Sequence, residues 1–353
     1  MTDASDWQPI DPAAADYVPD LPDRLAAVLH AGRAPGLHGV VVVRHGRLVL
    51  EWYGAGEDFK WNESLGSATF GPDTLHDVRS VTKSVVALLY GIALADGRVP
   101  GPEEPLLRHF PEYPDLAADA RRTRLTVEHA LTMTLGLEWD ESVPYTSTAN
   151  SEIAMEMAPD RFRFVLERPV VEEPGIRWSY SGGASALVGR LIAKGTGQPL
   201  QDFARRALFE PLGITAFEWM AGHDGVASAA SGLRLAPRDL ARIGQTVLDG
   251  GRWSGRQVIP ETWLDEALRP RVRIDADREY GYQWYLGTFP AVAGAGAPPL
   301  PWVGANGNGG QRLFVVPDQD FVVAITAGNY DSPNGSTTPL TVLNDVILPS
   351  IQR

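Results

Sequence analysis

Hydrophobic and polar positions follow two different periods along this chain, and the changes of period mark its elements. Leucine and alanine recur at helical spacing over Leu21–Ala31, after a proline-rich entry. The pattern then becomes that of paired strands, with Val40–Val43 and Arg47–Trp52 flanking His45-Gly46, which predicts a hairpin. A short strand is expected at Thr74–Asp77. Ser80–Ala95 is strongly helical and stops at Gly97. From about Pro100 to Asp249 the pattern is mostly helical, with helices predicted at Thr126–Met133, Gly183–Lys194, Gln201–Leu208 and Pro237–Leu248. Between the first two lies Trp139–Pro159, rich in Ser, Thr, Asn and Glu, and expected to be a long irregular loop of functional character. Strand character returns at Gly281–Leu286, Leu300–Gly304, Arg312–Val316 and Phe321–Thr326, followed by a final helix at about Leu340–Leu348. Phe289–Pro301, made largely of Pro, Ala and Gly, reads as a loop. There is no internal repeat.

Strands at both ends with helices between them predict an α+β fold: one antiparallel sheet flanked by helices, interrupted by an inserted all-helical domain. The expected division is 1–80 plus 250–353 for the sheet domain and 81–249 for the insert. A ligand site is expected at the seam.

Composition narrows the function classes. The 353 residues suit one large domain or two ordinary ones. A net charge of −13 disfavours nucleic acid and anionic lipid as partners. The longest apolar run, near Val85–Leu94, falls short of the ~18–20 residues of a membrane span. Met1–Ile10 is polar and acidic and lacks the features of a secretory leader, so a cytoplasmic protein is expected. The absence of cysteine removes disulfides and thiolate nucleophiles. The 7 histidines are scattered without metal-ligand spacing, and no Gly-rich phosphate or dinucleotide motif is present. Neither a metal nor a cofactor is expected. Oligomeric state is left open, with a homodimer one option.

Only three residues are lysine (Lys60, Lys83, Lys194), so a lysine's position is informative. Ser80-Val81-Thr82-Lys83 opens a predicted helix and puts Lys83 one turn from Ser80 on the same face. A serine hydroxyl needs a neighbouring group to take its proton, and a buried lysine in neutral form can do so. The helix start adds free N–H groups and partial positive charge for an oxyanion. Random placement gives roughly 0.15 S-x-x-K matches in this composition, and one occurs. The alternative is a helix cap beside a snorkelling lysine. No serine sits in G-x-S-x-G, which excludes the α/β-hydrolase elbow.

Trp178-Ser179-Tyr180-Ser181-Gly182-Gly183 directly precedes another helix. Tyr180 is either a packed tyrosine or, near an ammonium, a phenolate base of lowered pKa. Trp302-Val303-Gly304-Ala305-Asn306-Gly307-Asn308-Gly309-Gly310-Gln311 lies between two apolar strands. It is either a tight hairpin or a strand edge that substrate can approach at Gly304.

Together, Ser80-x-x-Lys83, Tyr180 about a hundred residues later and the C-terminal small-residue strand resemble the serine β-lactamase-like family. That family includes class C β-lactamases, D-alanyl-D-alanine peptidases, carboxylesterases and 6-aminohexanoate-dimer hydrolases. The resemblance runs from about Gly39 to the end. Tyr145–Asn150, Glu173-Pro174-Gly175, Ser231-Gly232-Leu233-Arg234 and Gly307–Gln311 make the chain most similar to the last branch. The resemblance implies a β-lactamase/transpeptidase-like fold and a serine hydrolase of esters or amides, with a small-molecule substrate. It implies Ser80 as the acylated residue, Lys83 as its base and Tyr180 as the Y-x-N tyrosine. The K-T-G strand aligns with Trp302-Val303-Gly304, so the oxyanion hole would be the backbone N–H groups of Ser80 and Ala305. Tyr145, Asn150, Ser231, Trp302 and Gly304 are the expected substrate contacts.

The chain departs from the family pattern twice. It reads Tyr180-Ser181-Gly182 where Y-x-N has asparagine, and it has no lysine after Lys194 to supply K-T-G. Both losses argue against an efficient β-lactamase. Acyl transfer to an alcohol or amine would use the same residues as hydrolysis. A non-catalytic binding module would keep the fold without the Ser80, Lys83 and Tyr180 set.

Overall fold

The computed structural model describes residues 7–290 and 299–352. Most of the predicted Phe289–Pro301 loop, and the first residues used for the leader expectation, lie outside them.

The valines of the first hairpin form a continuous apolar run, and their surroundings explain it. Leu37–Arg44 and Arg47–Tyr53 pair across His45 and Gly46, both of which have left-handed backbone (φ 53° and 67°), as a two-residue hairpin turn requires. Leu37–Arg44 also pairs with the C-terminal strand Phe321–Ala327, Val41 lying opposite Ala324. Gln311–Val316, Leu300–Gly307, Tyr285–Phe289, Arg278–Tyr280 and Val272–Arg273 complete an antiparallel sheet of eight strands. Both faces of this sheet are covered. Val41, Val43, Leu313, Val315, Val322 and Ala324 face one apolar layer, and Val40, Val42, Phe314, Val316, Val323 and Ile325 face the other. Each fully buried valine contributes about 1.5–3 kcal/mol relative to exposure. That is why strict alternation is missing from strands whose side chains still alternate in direction.

The outer layer holds the helix Leu21–His30 and the C-terminal turns from Thr337 to Ser350. The inner layer holds Val81–Ala95, a helix apolar around its circumference and buried along nearly its whole length. Trp263 packs where Gly91 has no side chain, and a Cβ there would collide with the indole. Gly182–Thr196 packs beside Val81–Ala95. The helix Pro237–Leu248 starts on a proline and lies flat on the sheet, Gly244 admitting Val322 and Leu313. On that packing we assign this helix to the sheet domain, which moves the proposed boundary from residue 249 back to about 236.

The segment Trp139–Pro159 differs from expectation in its second half. Ser151–Met157 is a helix, and Asn150 is its cap, its side-chain oxygen accepting from the N–H groups of Glu152 and Ile153. A hairpin not anticipated from sequence, Ala55–Lys60 with Glu63–Thr69, projects from the end of the first pair of strands. No helix among the described residues is long and apolar enough to cross a membrane.

Candidate active site

Ser80 stands where the chain turns into the Val81–Ala95 helix. Arg79, just before it, has left-handed backbone (φ 49°), a conformation that costs a non-glycine residue about 1–2 kcal/mol. Asp77 holds that turn, accepting from the Arg79 N–H at 2.9 Å. The Thr82 hydroxyl donates to the Arg79 carbonyl at 2.6 Å and accepts from the Leu233 N–H at 3.2 Å. The turn at Ser80 is thereby fixed to the segment Ser228–Leu233.

Lys83 is one turn on and almost completely buried. Its Nζ lies 3.1 Å from Ser80 Oγ and donates to the Ala230 carbonyl at 2.6 Å. The Glu152 carboxylate is 3.7 Å away, and the Nζ sits 4.8 Å from the centre of the Tyr180 ring. Tyr180 enters just before the helix Gly182–Thr196, which Ser181 caps by accepting from the Ala184 N–H. Burial, followed by the neighbouring Tyr285, Glu141 and Glu152, pushes the Tyr180 phenol well above its ordinary range, against the lowering effect of the Ser80 hydroxyl. This corrects the expectation of a lowered pKa: burial dominates, and the phenol is protonated at neutral pH.

The missing Y-x-N asparagine has a structural counterpart. A Cβ on Gly182 would lie 2.5 Å from Glu152 Oε2, so the Glu152 carboxylate fills the place of that side chain. Glu152 Oε1 accepts from the Ser231 hydroxyl at 3.0 Å, while Oε2 has no hydrogen-bond partner among the described residues. Two further carboxylates lie nearby. Glu141 accepts from the Gly182 N–H at 2.5 Å, the Trp139 indole at 2.6 Å and the Tyr145 hydroxyl at 2.8 Å. Burial, then the Glu152 charge, raises it to about 7. Glu156 accepts from the Ser228 hydroxyl and pairs with buried Arg161 at 3.0 Å; burial raises it, too, to about 7.

Ser80 opens onto a cavity of about 80 Å³. Tyr145 and Ser231 line it, as expected, together with Trp61, Arg79, Glu152, Glu156 and Asn308. Tyr145 and Asn308 also border a more open groove of about 390 Å³ on their other side. A larger groove, about 780 Å³, lies at the far end of the Val81–Ala95 helix beside Leu94 and Trp263 and contains none of these residues.

Three expected contacts lie elsewhere. Asn150 is fully buried and spends its side chain on the helix cap and on the Val143 carbonyl at 2.8 Å. Trp302 packs against Phe289 and Phe314 in the outer layer, and Gly304 shares that face. Ala305 is fully buried in the strand and does not line the cavity. The strand approaches the turn before Ser80 at Gly307, where a Cβ would collide with the Val78 carbonyl oxygen. The cavity residue that follows is Asn308, not Ala305.

Comparison with known proteins identifies the family. The family profile described as Beta-lactamase matches residues 21–343. Esterase EstB of Burkholderia gladioli is 26% identical in an alignment covering 98% of this chain and 99% of that protein. The 6-aminohexanoate-dimer hydrolase of Paenarthrobacter ureafaciens is 23% identical over 88% of this chain and 76% of its own length. Among solved structures, a 6-aminohexanoate-dimer hydrolase homologue from Bacillus anthracis superposes with a TM-score of 0.72 at 19% identity, covering 92% of this chain and 81% of that one. EstCE1, a hydrolase with promiscuous acyltransferase activity, gives 0.70 at 16% identity, covering 93% and 98%. With this match over most of its length and this fold, the chain belongs to the beta-lactamase family and is a serine hydrolase.

Proposed function

We propose that this hydrolase cleaves a carboxylic ester or amide by acylating Ser80. The observation that carries the proposal is the 3.1 Å approach of Lys83 Nζ to Ser80 Oγ at the mouth of a cavity. Lys83 Nζ takes the Oγ proton while Oγ attacks the substrate carbonyl. The oxyanion forms between the backbone N–H groups of Ser80 and Asn308, which shifts the family's strand motif three residues, onto Ala305-Asn306-Gly307. The Tyr180 phenol gives its proton to the departing alkoxide or amine and regains one from the Lys83 ammonium. Water, deprotonated by the same groups, then releases the acid and restores Ser80.

Glu152 completes the relay. It is the anion nearest the Lys83 ammonium, and Oε2 is uncommitted, so it balances the ammonium that forms during acylation. Glu152→Gln keeps an acceptor for the Ser231 hydroxyl and removes the charge. Its kcat on a neutral ester is expected to fall about 10- to 100-fold with KM little changed. Equal losses of kcat/KM through KM alone would contradict this role.

The acyl group that fits is short and neutral or amine-bearing, because Glu152 and Glu156 line the cavity. With no strand lysine to meet a carboxylate, kcat/KM is expected to rank p-nitrophenyl butyrate first, 6-aminohexanoate dimer next and nitrocefin last. Nitrocefin turned over faster than both others overturns the reading. In this proposal the enzyme works in the cytoplasm on a small molecule, with neither nucleic acid nor membrane as partner. Acyl transfer is the second reading. The open groove beside Tyr145 and Asn308 gives an alcohol or amine acceptor a route to acyl-Ser80.

A further inference from the structure

We propose that the hairpin Ala55–Thr69 sets the acyl-chain specificity of the Ser80 site, with Trp61 as the wall the acyl group meets and Asp77 and Arg79 as its positioning residues. The inference rests on Ser80 being the nucleophile. The acyl group stays on Oγ through both halves of the reaction, whereas the leaving group must depart. The narrower cavity therefore suits the acyl group and the more open groove the leaving group. At about 80 Å³ the cavity is small, which favours a short acyl chain.

Trp61 forms part of that limit. It occupies the hairpin tip with left-handed backbone (φ 53°) and is held from both sides of its peptide. Its N–H donates to Asp77 Oδ2 at 2.8 Å, and its carbonyl accepts from Arg79 Nη2. The same Asp77 fixes the Arg79 N–H at 2.9 Å and pairs with Arg79 Nε at 3.2 Å. The Arg79 guanidinium lies 4.6 Å from the centre of the Tyr330 ring, whose hydroxyl donates to the Asp77 carbonyl at 2.9 Å. One buried ion pair thus fixes the residue before the nucleophile and the aromatic wall facing it.

The rest of the hairpin is pinned in the same manner. Buried Arg234 holds Asp58 at 2.7 and 3.2 Å, and Asn62 Nδ2 donates to the Tyr145 carbonyl at 3.2 Å. The indole edge lies against Gly232, where a Cβ would stand 3.3 Å from Trp61 Cζ2. These contacts make the hairpin a fixed wall. Its aromatic residue is the largest side chain on the cavity, so its truncation lengthens the space most.

The test compares kcat/KM for p-nitrophenyl acetate, butyrate and octanoate. Trp61→Ala is expected to raise the octanoate-to-butyrate ratio about tenfold or more, while Trp61→Phe leaves it close to wild type. Asp77→Asn is expected to lower kcat about 100-fold on every ester and also to shift the ratio towards that of Trp61→Ala. A residue that only stabilises the fold would lower all three rates alike. If Trp61→Ala fails to fold, Trp61→Leu gives the same reading with a smaller shift. An unchanged ratio in a Trp61 variant whose Ser80 still reacts with a fluorophosphonate overturns the proposal. Failure of the wild-type Ser80 to react with that probe overturns the acyl-serine reading instead.

Discussion

Ser80→Ala is expected to abolish hydrolysis of an activated ester such as a p-nitrophenyl acyl ester, a loss of about six orders of magnitude in kcat where a nucleophile and its base act as one unit. The neighbouring serine hydroxyls among the described residues are engaged elsewhere. Ser84 donates to the Gln283 carbonyl, Ser185 to the Gln283 side chain, and Ser231 to Glu152. The fold should survive the change. Ser80 sits at the helix start, yet its hydroxyl makes no capping bond to the helix backbone. Stability should therefore move by no more than about 0.5 kcal/mol. Thermal melting alongside an initial-rate assay checks both halves. Near wild-type turnover in a folded Ser80→Ala variant removes Ser80 from the mechanism.

The second large effect belongs to the proton carriers. Lys83→Ala and Tyr180→Phe should each lower kcat by about 10³-fold, within the range for a positioned acid or base. Tyr180→Phe is the cleaner variant, since it keeps the ring contacts with Trp178 and Lys83 and loses only the hydroxyl. Lys83→Ala also removes the buried Nζ contacts with the Ala230 carbonyl and the Glu152 carboxylate, so a lower melting temperature accompanies the rate loss. Because one proton passes through both groups, the double variant should be little slower than the slower single variant. A double-mutant cycle measures this, and losses that multiply show two independent roles.

The convergence of Ser80, Lys83 and Tyr180 was legible because its signal is local: a one-turn spacing at a helix start and a tyrosine just ahead of another helix. The strand contacts were not. Period two places Trp302 and Gly304 on one face and Ala305 and Gly307 on the other, but it does not say which face meets the Ser80 helix. Trp302 lies in the outer layer and Asn308 at the cavity, which is why we propose a register shifted by three residues. Asn150 was readable as a cap, since Asn followed by Ser-Glu-Ile-Ala-Met-Glu-Met carries a helix-start pattern. Its many hydroxyl-bearing neighbours suggested a loop instead. The hairpin Ala55–Thr69 turns at Trp61-Asn62 without the usual glycine, because buried Asp77 and Arg79 supply what the turn residues do not. Glu152 became informative only when Gly182 was seen to leave room for it. The direction of the Tyr180 shift depends on burial, which no spacing along the chain reports.

The account stands on an acyl group attached to Ser80. Intact mass after brief incubation with a fluorophosphonate, or with a p-nitrophenyl ester quenched in acid, followed by peptide mapping, tests it directly. One adduct per chain on the peptide bearing Ser80, lost in Ser80→Ala and slowed in Lys83→Ala, is the predicted result. No adduct with any acylating probe, or an adduct on another residue, would contradict it.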